Sequence, residues 1–250
     1  MKISVITPSR LAVNPNSEHG NLWLDLALMS VRRQTVFEEH EIEQVVGMNR
    51  DTSLQLPFRF NGTIVSHCGD NQALAVNGAV SESTGDVLAF LEDDDTWEPT
   101  KLAHQLPLLE HFDFVSSNQR EMDEDRATWL RTNDFPTPSG WLMRRELWDE
   151  LGGFDETFRF HVDTQFLGKL NAAKKKRVHV VERNPDWSRQ WLQIVARRSL
   201  IAESTEQTPL VVRTVNSKGG MAQIQRDPSA AAVSREEHKR MIDQFGEVPW

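Results

Sequence analysis

Apolar positions along this chain fall into short continuous runs separated by stretches with helical spacing. Ile3 to Thr7, Glu41 to Val46, Thr63 to Ser66, Val87 to Leu91, Phe112 to Ser116 and Val178 to Val181 read as strands, being short, apolar and bounded by turn residues. Between them, Leu24, Ala27, Leu28 and Val31 fall at i, i+3, i+4 and i+7, the spacing of a one-sided helix. Gly69-Asp70-Asn71 supplies the start of a second helix, whose Ala73, Val76, Asn77 and Val80 share one face. Pro99 suits a first helical turn, and Leu102, Leu106 and Leu109 mark the helix after it. Further on, Arg144 to Leu151 predicts a helix closed by Gly152-Gly153. Trp187, Trp191, Ile194 and Val195 trace a helical stripe, and the tail from Asp227 reads as a surface helix.

Repeated alternation of strand and helix through residue 116 calls for an α/β fold with a mainly parallel sheet covered on both faces. In such sheets ligands bind at the carboxyl ends of the strands. Pro8-Ser9-Arg10 and Glu92 to Asp95 both stand at such ends, so they are expected to border one site. From Met122 the texture changes to charged loops and the proline-rich segment Phe135 to Gly140.

Composition adds limits. With 250 residues, 38% hydrophobic and 26% charged, the chain has the make-up of one large globular domain. No apolar stretch approaches the roughly 18 residues that cross a bilayer. Met1 to Ile6 has no signal-peptide layout, and the single cysteine, Cys68, suits a reducing compartment, so a cytoplasmic location is expected. A formal charge of −9 argues against a protein built chiefly to grip phosphate backbones.

The chemistry is concentrated at Glu92-Asp93-Asp94-Asp95, four adjacent acids where an apolar strand emerges. Burying any of them without a partner is expensive, and a divalent cation, Mg²⁺ or Mn²⁺, is the simplest relief. If the chain stays extended, Glu92 and Asp94 point one way and Asp93 and Asp95 the other. A solvated acidic turn is the competing reading.

The order of motifs resembles glycosyltransferase family 2, the inverting group with the GT-A fold. Ser4-Val5-Ile6-Thr7-Pro8-Ser9-Arg10 is similar to the family's first strand and nucleotide loop, and Ser30-Val31-Arg32-Arg33-Gln34-Thr35 to its S-V-x-x-Q-T helix end. Asn77-Gly78-Ala79 before Thr84-Gly85-Asp86 resembles the approach to the metal strand. Phe90 to Leu102 resembles the acidic signature with its trailing W-x-P-x-K-L, and Leu147 with Gly152 to Phe158 the element that precedes the catalytic acid. The likeness covers about residues 3 to 170.

The resemblance implies a metal-dependent inverting transfer of a sugar from a nucleoside-diphosphate sugar, a UDP-sugar first among them, to an acceptor hydroxyl. Glu92-x-Asp94 takes the place of the family's Asp-x-Asp and would hold Mn²⁺ or Mg²⁺, and Asp163 is the candidate base. Thr7, Pro8, Ser9, Arg10, Asn77, Glu92 and Asp93 would border the donor. At the end of the second strand, where the family carries paired aspartates, Asn49 or Asp51 would meet the nucleotide base. Trp141 is the acceptor-side candidate. Three regions follow: a nucleotide-sugar-binding half over 1–116, an acceptor-side half of the same GT-A domain over 117–225, and a helical extension over 226–250. The acceptor is a glycan or another hydroxyl-bearing molecule, a modified nucleic-acid base included.

Several readings stay open at the level of sequence. Asp163 could instead cap the helix starting near Thr164. Val162 stands where the family has the first acid of a Glu-Asp pair, and His179 and His238 are the histidines available as a late metal ligand. Trp187 and Trp191 suit either a sugar-stacking platform or a core stripe. Lys174 to Arg177 suits phosphate or a solvated turn, and Gly219-Gly220 a lid or an ordinary loop. A non-catalytic nucleotide- or glycan-binding module and a nucleotidyltransferase are the competing functions.

Overall fold

A computed structural model describes residues 1–17, 22–48, 64–67, 71–217 and 219–248. Asn49, Asp51 and Cys68 lie outside the described residues. The chain runs through β1 (Lys2–Ser9), α1 (Trp23–Arg32), β2 (Glu41–Met48), β3 (Ile64–His67), α2 (Gln72–Glu82), β4 (Val87–Phe90), β5 (Thr96–Trp97) and α3 (Lys101–Gln105). It continues through β6 (Phe114–Ser117), β7 (Gln119–Met122), β8 (Trp129–Asn133), β9 (Leu142–Arg144), α4 (Arg145–Leu151), α5 (Val162–Ala172), β10 (Arg177–Val181) and α6 (Gln190–Val195). The last elements are β11 (Leu200–Glu203), β12 (Val211–Thr214), α7 (Gly220–Arg226) and α8 (Pro228–Phe245).

Eight strands form the main sheet in the order β11-β10-β6-β9-β4-β1-β2-β3. All pairs are parallel except those of β9, which runs antiparallel to both β4 and β6. The chain moves outward from β1 through β2 and β3, then returns to lay β4 on the other side of β1. That reversal opens a crevice between β1 and β4 at their carboxyl ends. A second sheet, β5-β12-β7-β8, stands beyond it.

The inner strands are rich in apolar residues because both faces of the sheet are covered, whereas β2 begins with the exposed Glu41 and edge strand β11 exposes both its ends. Side chains alternate, so Ile6, Leu88 and Phe90 enter one core with Val76, Trp148, Phe166 and Met241. Ile3, Val5, Val87, Ala89 and Leu91 enter the other with Ala27, Val31 and Leu102. Gly47 lets α2 close on β2: a Cβ there would meet the Ala75 carbonyl at 2.0 Å.

The hydrophobic pattern mistook some local geometry. Pro99 lies in the turn before α3, whose N-cap is Thr100, and the segment tightens to 3-10 geometry over Leu106–Glu110 because Pro107 has no amide to donate. Trp187 precedes α6 and is 51% exposed, so it does not extend the buried stripe of Leu192 and Val195. The tail does form α8, but Ala230, Ser234, Glu237 and Met241 bury one face of it.

Candidate active site

Strand β4 delivers the acids into the crevice, but not in an extended chain. The Asp95 amide donates to the Glu92 carbonyl at 3.1 Å, closing a turn over residues 92–95. That turn overrides the period-two expectation. Glu92, Asp94 and Asp95 come together, with one carboxylate oxygen from each within 4.8 Å of the others. Asp93 turns instead toward β1, where the Ser9 hydroxyl donates to its Oδ2 at 2.6 Å. Ser9 also receives the Leu11 amide at 3.0 Å, and Leu11 itself sits at φ 54°, a left-handed kink that turns the chain away from the strand.

Asp95 is the most enclosed of the acids, at 1% exposure. It accepts from Ser139 Oγ at 2.6 Å and from the Thr214 amide at 3.1 Å, which ties the second sheet to the turn. The Ser139 hydroxyl in turn accepts the Glu92 amide at 3.0 Å, and Trp97 Nε1 donates to the Ser139 carbonyl at 2.7 Å. Glu92 Oε1 accepts from Gln72 Nε2 at 2.7 Å, in the first turn of α2, a helix whose N-cap Asn71 accepts the Leu74 amide as its sequence predicts.

Electrostatics follow from this crowding. Burial, then Asp94, push the carboxyls of Glu92 and Asp93 up to about 7. Burial also raises Asp94, against the pull of Arg213 and a hydrogen bond from Asn216, and raises Asp95 well above the carboxylate range with help from Asp94 and Glu92. Burial lowers Arg213, but the negative charges of Asp95, Glu92, Glu121 and Asp94 outweigh it and its affinity for a proton rises. Arg213 Nη1 also donates to Glu121 at 2.8 Å. Three clustered carboxylates of raised basicity are a donor set that fits a hard divalent cation.

Asp163 belongs to the same field: it raises Glu92, and its own carboxyl is pushed up by burial. It is not the cap of α5. That position is His161, and Asp163 sits in the first turn, where its Oδ1 accepts the Thr164 amide at 2.7 Å.

Other expected site residues lie elsewhere. Trp141 is 0% exposed, edge-on to Phe90 and Phe114 and stacked on Phe166 at 5.5 Å, so it belongs to the core rather than to an acceptor surface. Both ends of the Asn77 amide are engaged: Nδ2 donates to the Phe154 carbonyl and to Glu156, and Oδ1 receives the Phe154 amide. It braces α2 against the glycine turn instead of facing a donor. Thr7 is fully buried within β1, while Pro8 is half-buried and Arg10 exposed at the crevice mouth.

His179 is buried in β10 against Ser116 at 2.8 Å, and His238 stacks on His161; among the described residues the metal-competent cluster consists of the three acids. The basic run lies at the amino end of β10, opposite the crevice, with Lys175 paired to Glu150 at 2.6 Å and Arg177 bonded to Asn171. Ser139, Arg213 and Gln72 were not assigned to the site from sequence and reach it only through the fold. Asp95, expected at the site but not as a metal ligand, joins Glu92 and Asp94 because the turn reverses its side chain.

The profile of Glycosyl transferase family 2 matches residues 54–179. The chain is 28% identical over 213 residues to the uncharacterized glycosyltransferase alr2836 of Nostoc sp., covering 70% of this chain and 63% of that protein. It is 31% identical over 122 residues to the uncharacterized glycosyltransferase YwdF of Bacillus subtilis, covering 42% and 45%. The chain therefore spans less than two thirds of these curated relatives. In three dimensions it is similar to S. aureus TarS residues 1–349 in complex with UDP, with a TM-score of 0.58 at 16% identity over 98% of this chain and 72% of that one. It is also similar to the mannosyltransferase PcManGT of Pyrobaculum calidifontis in complex with GDP-Man and Mn²⁺, with a TM-score of 0.57 at 15% identity over 90% and 60%. The two likenesses share the GT-A fold.

Proposed function

The chain belongs to glycosyltransferase family 2, and we propose that it moves a sugar from a nucleoside-diphosphate sugar to an acceptor hydroxyl by a single inverting displacement. The observation that carries this reading is the trio Glu92, Asp94 and Asp95 at the crevice between β1 and β4, with Asp163 within its electrostatic reach. Neighbours of the same fold hold UDP, UDP-GlcNAc and, with Mn²⁺, GDP-Man, which supports the donor class and a divalent cation.

Glu92 and Asp94, with Asp95 behind them, are the carboxylates that would hold Mn²⁺ or Mg²⁺. A bound cation supplies positive charge against a leaving diphosphate. The Ser9–Asp93 hydrogen bond ties the first loop to the acidic turn, and exposed Arg10 would meet the nucleotide. Asn49 and Asp51 are the proposed readers of the base, with a UDP-sugar the first donor to try. The acceptor oxygen forms its bond to the anomeric carbon as the bond from that carbon to the diphosphate oxygen breaks. Asp163 takes the acceptor's proton, and the basicity that burial adds to its carboxylate suits a general base.

Calorimetry with UDP, GDP, dTDP and CDP, in Mn²⁺ and again in EDTA, tests the site. Tight binding of one diphosphate that disappears in EDTA, and in Asp94→Ala, is expected. Asp163→Asn should keep that affinity while turnover falls about a hundredfold or more, the scale of a lost general base. Diphosphate binding with no transfer to any acceptor would leave a binding module; release of pyrophosphate from a nucleoside triphosphate would point to nucleotidyl transfer.

A further inference from the structure

Helix α8 lies beyond the residues matched by the family profile, yet its buried face is polar where it meets the segment leading to Asp163. Glu237 is 2% exposed and its carboxylate receives three successive backbone amides: Arg159 at 2.5 Å, Phe160 at 3.1 Å and His161 at 3.1 Å. Ser234 Oγ lies 2.8 Å from His161 Nε2, and the His161 and His238 rings stack with centroids 4.1 Å apart. One turn further along, Arg240 donates to the Thr157 hydroxyl at 2.5 Å and to its carbonyl at 3.3 Å, and lies over the Phe158 ring. Phe245 anchors the end of the helix: a Cβ on Gly168 of α5 would meet its ring at 2.4 Å.

These contacts share one purpose. Residues 159–161 are in no strand or helix, so their amides need partners, and a buried amide without one is costly. A single carboxylate satisfies three of them in sequence, the arrangement in which adjacent amides form an anion-binding concavity. The negative charge also stands at the start of α5, where the helix presents its unsatisfied amides. Asp163 follows His161 by two residues, in the first turn of that helix. The direction in which its carboxylate leaves the backbone is therefore set by where the 159–161 amides are held.

We infer that Glu237 is a positioning residue for the proposed transfer, and that α8 acts as a clasp that fixes Asp163 against the acidic cluster. This rests on the reading of Asp163 as the base. Glu237 touches neither donor nor acceptor; it works through the backbone of residues 159–161.

The test compares Glu237→Gln, Glu237→Asp, Ser234→Ala and Asp163→Asn in the full chain. Amide exchange over residues 157–165 should quicken about tenfold or more in Glu237→Gln, while that of β4 stays unchanged, because local opening is released without global unfolding. Turnover should fall about 10- to 100-fold in Glu237→Gln, the scale of a small misplacement of a catalytic group. Donor KM and diphosphate affinity should stay within about twofold of wild type, since the acidic cluster is untouched. Glu237→Asp should restore part of the turnover, and Ser234→Ala should lose less than Glu237→Gln.

Full protection of the 159–161 amides in Glu237→Gln would overturn the clasp whatever the chemistry. Wild-type turnover in Glu237→Gln beside an inactive Asp163→Asn would overturn the positioning role alone. A matching loss of donor affinity and turnover would mean a general structural role and overturn it as well. Wild-type turnover in Asp163→Asn would overturn the base assignment, and with it the catalytic part of this inference, leaving amide exchange to judge the clasp.

Discussion

The Ser139 hydroxyl donates to Asp95 at 2.6 Å while accepting the Glu92 amide at 3.0 Å, so one oxygen sets the spacing between two members of the acidic cluster. Groups that orient carboxylate ligands are worth roughly 10- to 100-fold in metal affinity. Ser139→Ala should therefore weaken Mn²⁺ binding by about that factor in a calorimetric titration, with the fold intact; affinity within about twofold of wild type would remove Ser139 from the site. The acids were legible in the sequence because four of them are adjacent after an apolar run. Ser139 and Arg213 were not, since Ser139 lies 44 positions from the Asp95 carboxylate it serves and Arg213 reaches the cluster only through β12 of the second sheet, and neither is unusual where it stands. Trp141 shows the opposite error. A tryptophan beside Ser139-Gly140 looks ligand-facing in sequence, but six aromatic rings pack a common core, and Trp141 touches four of the others there.

The contact between α5 and α8 carries its own pH dependence. Burial, then the charge of His238, lower His161 from 6.5 to about 4. The folded protein thus keeps this ring neutral where the unfolded chain would protonate it. Its contribution to stability is fully present above about pH 6.5 and is lost as pH falls through about 4. With partial exposure discounted, the loss is on the order of 2 kcal/mol. The unfolding free energy of His161→Asn, measured by denaturant from neutral pH to about 4.5, should fall less steeply than that of wild type; parallel curves would show that His161 does not titrate with unfolding. At this scale β1, β4 and β10 were legible because strands buried along most of their length are dense in apolar residues, whereas β9, paired on both sides, is three residues long and shows no pattern of its own. The second sheet was poorly legible. β5 is two residues long, and β8 exposes Trp129 and Leu130, so neither shows alternation to detect.

Taken whole, the molecule places its most strained electrostatics at the point where the sheet reverses direction, within a chain already at −9. The raised carboxyls act on stability with the sign opposite to that of His161. Glu92 and Asp93, pushed from 4.5 and 3.8 up to about 7, favour the folded state while protonated, and that contribution is lost as pH rises through about 7. Without a cation the two carboxyls outweigh the single opposing ring, so the melting temperature should decline from about pH 5 to about pH 7 and then level off. A cation bound by the acids removes their mutual repulsion and competes with protons, so it should bind more tightly at about pH 8 than at pH 5.5 and release protons when it binds. At a hundred times its dissociation constant it adds about 2.7 kcal/mol. Thermal melts with Mn²⁺ and with EDTA across this range isolate the effect, because the histidine contribution cancels in the difference. The gap should widen as pH rises and shrink sharply in Asp94→Ala. A gap that is absent at about pH 8, or that survives in Asp94→Ala, would mean that the acidic turn at the switch point is not where the cation binds.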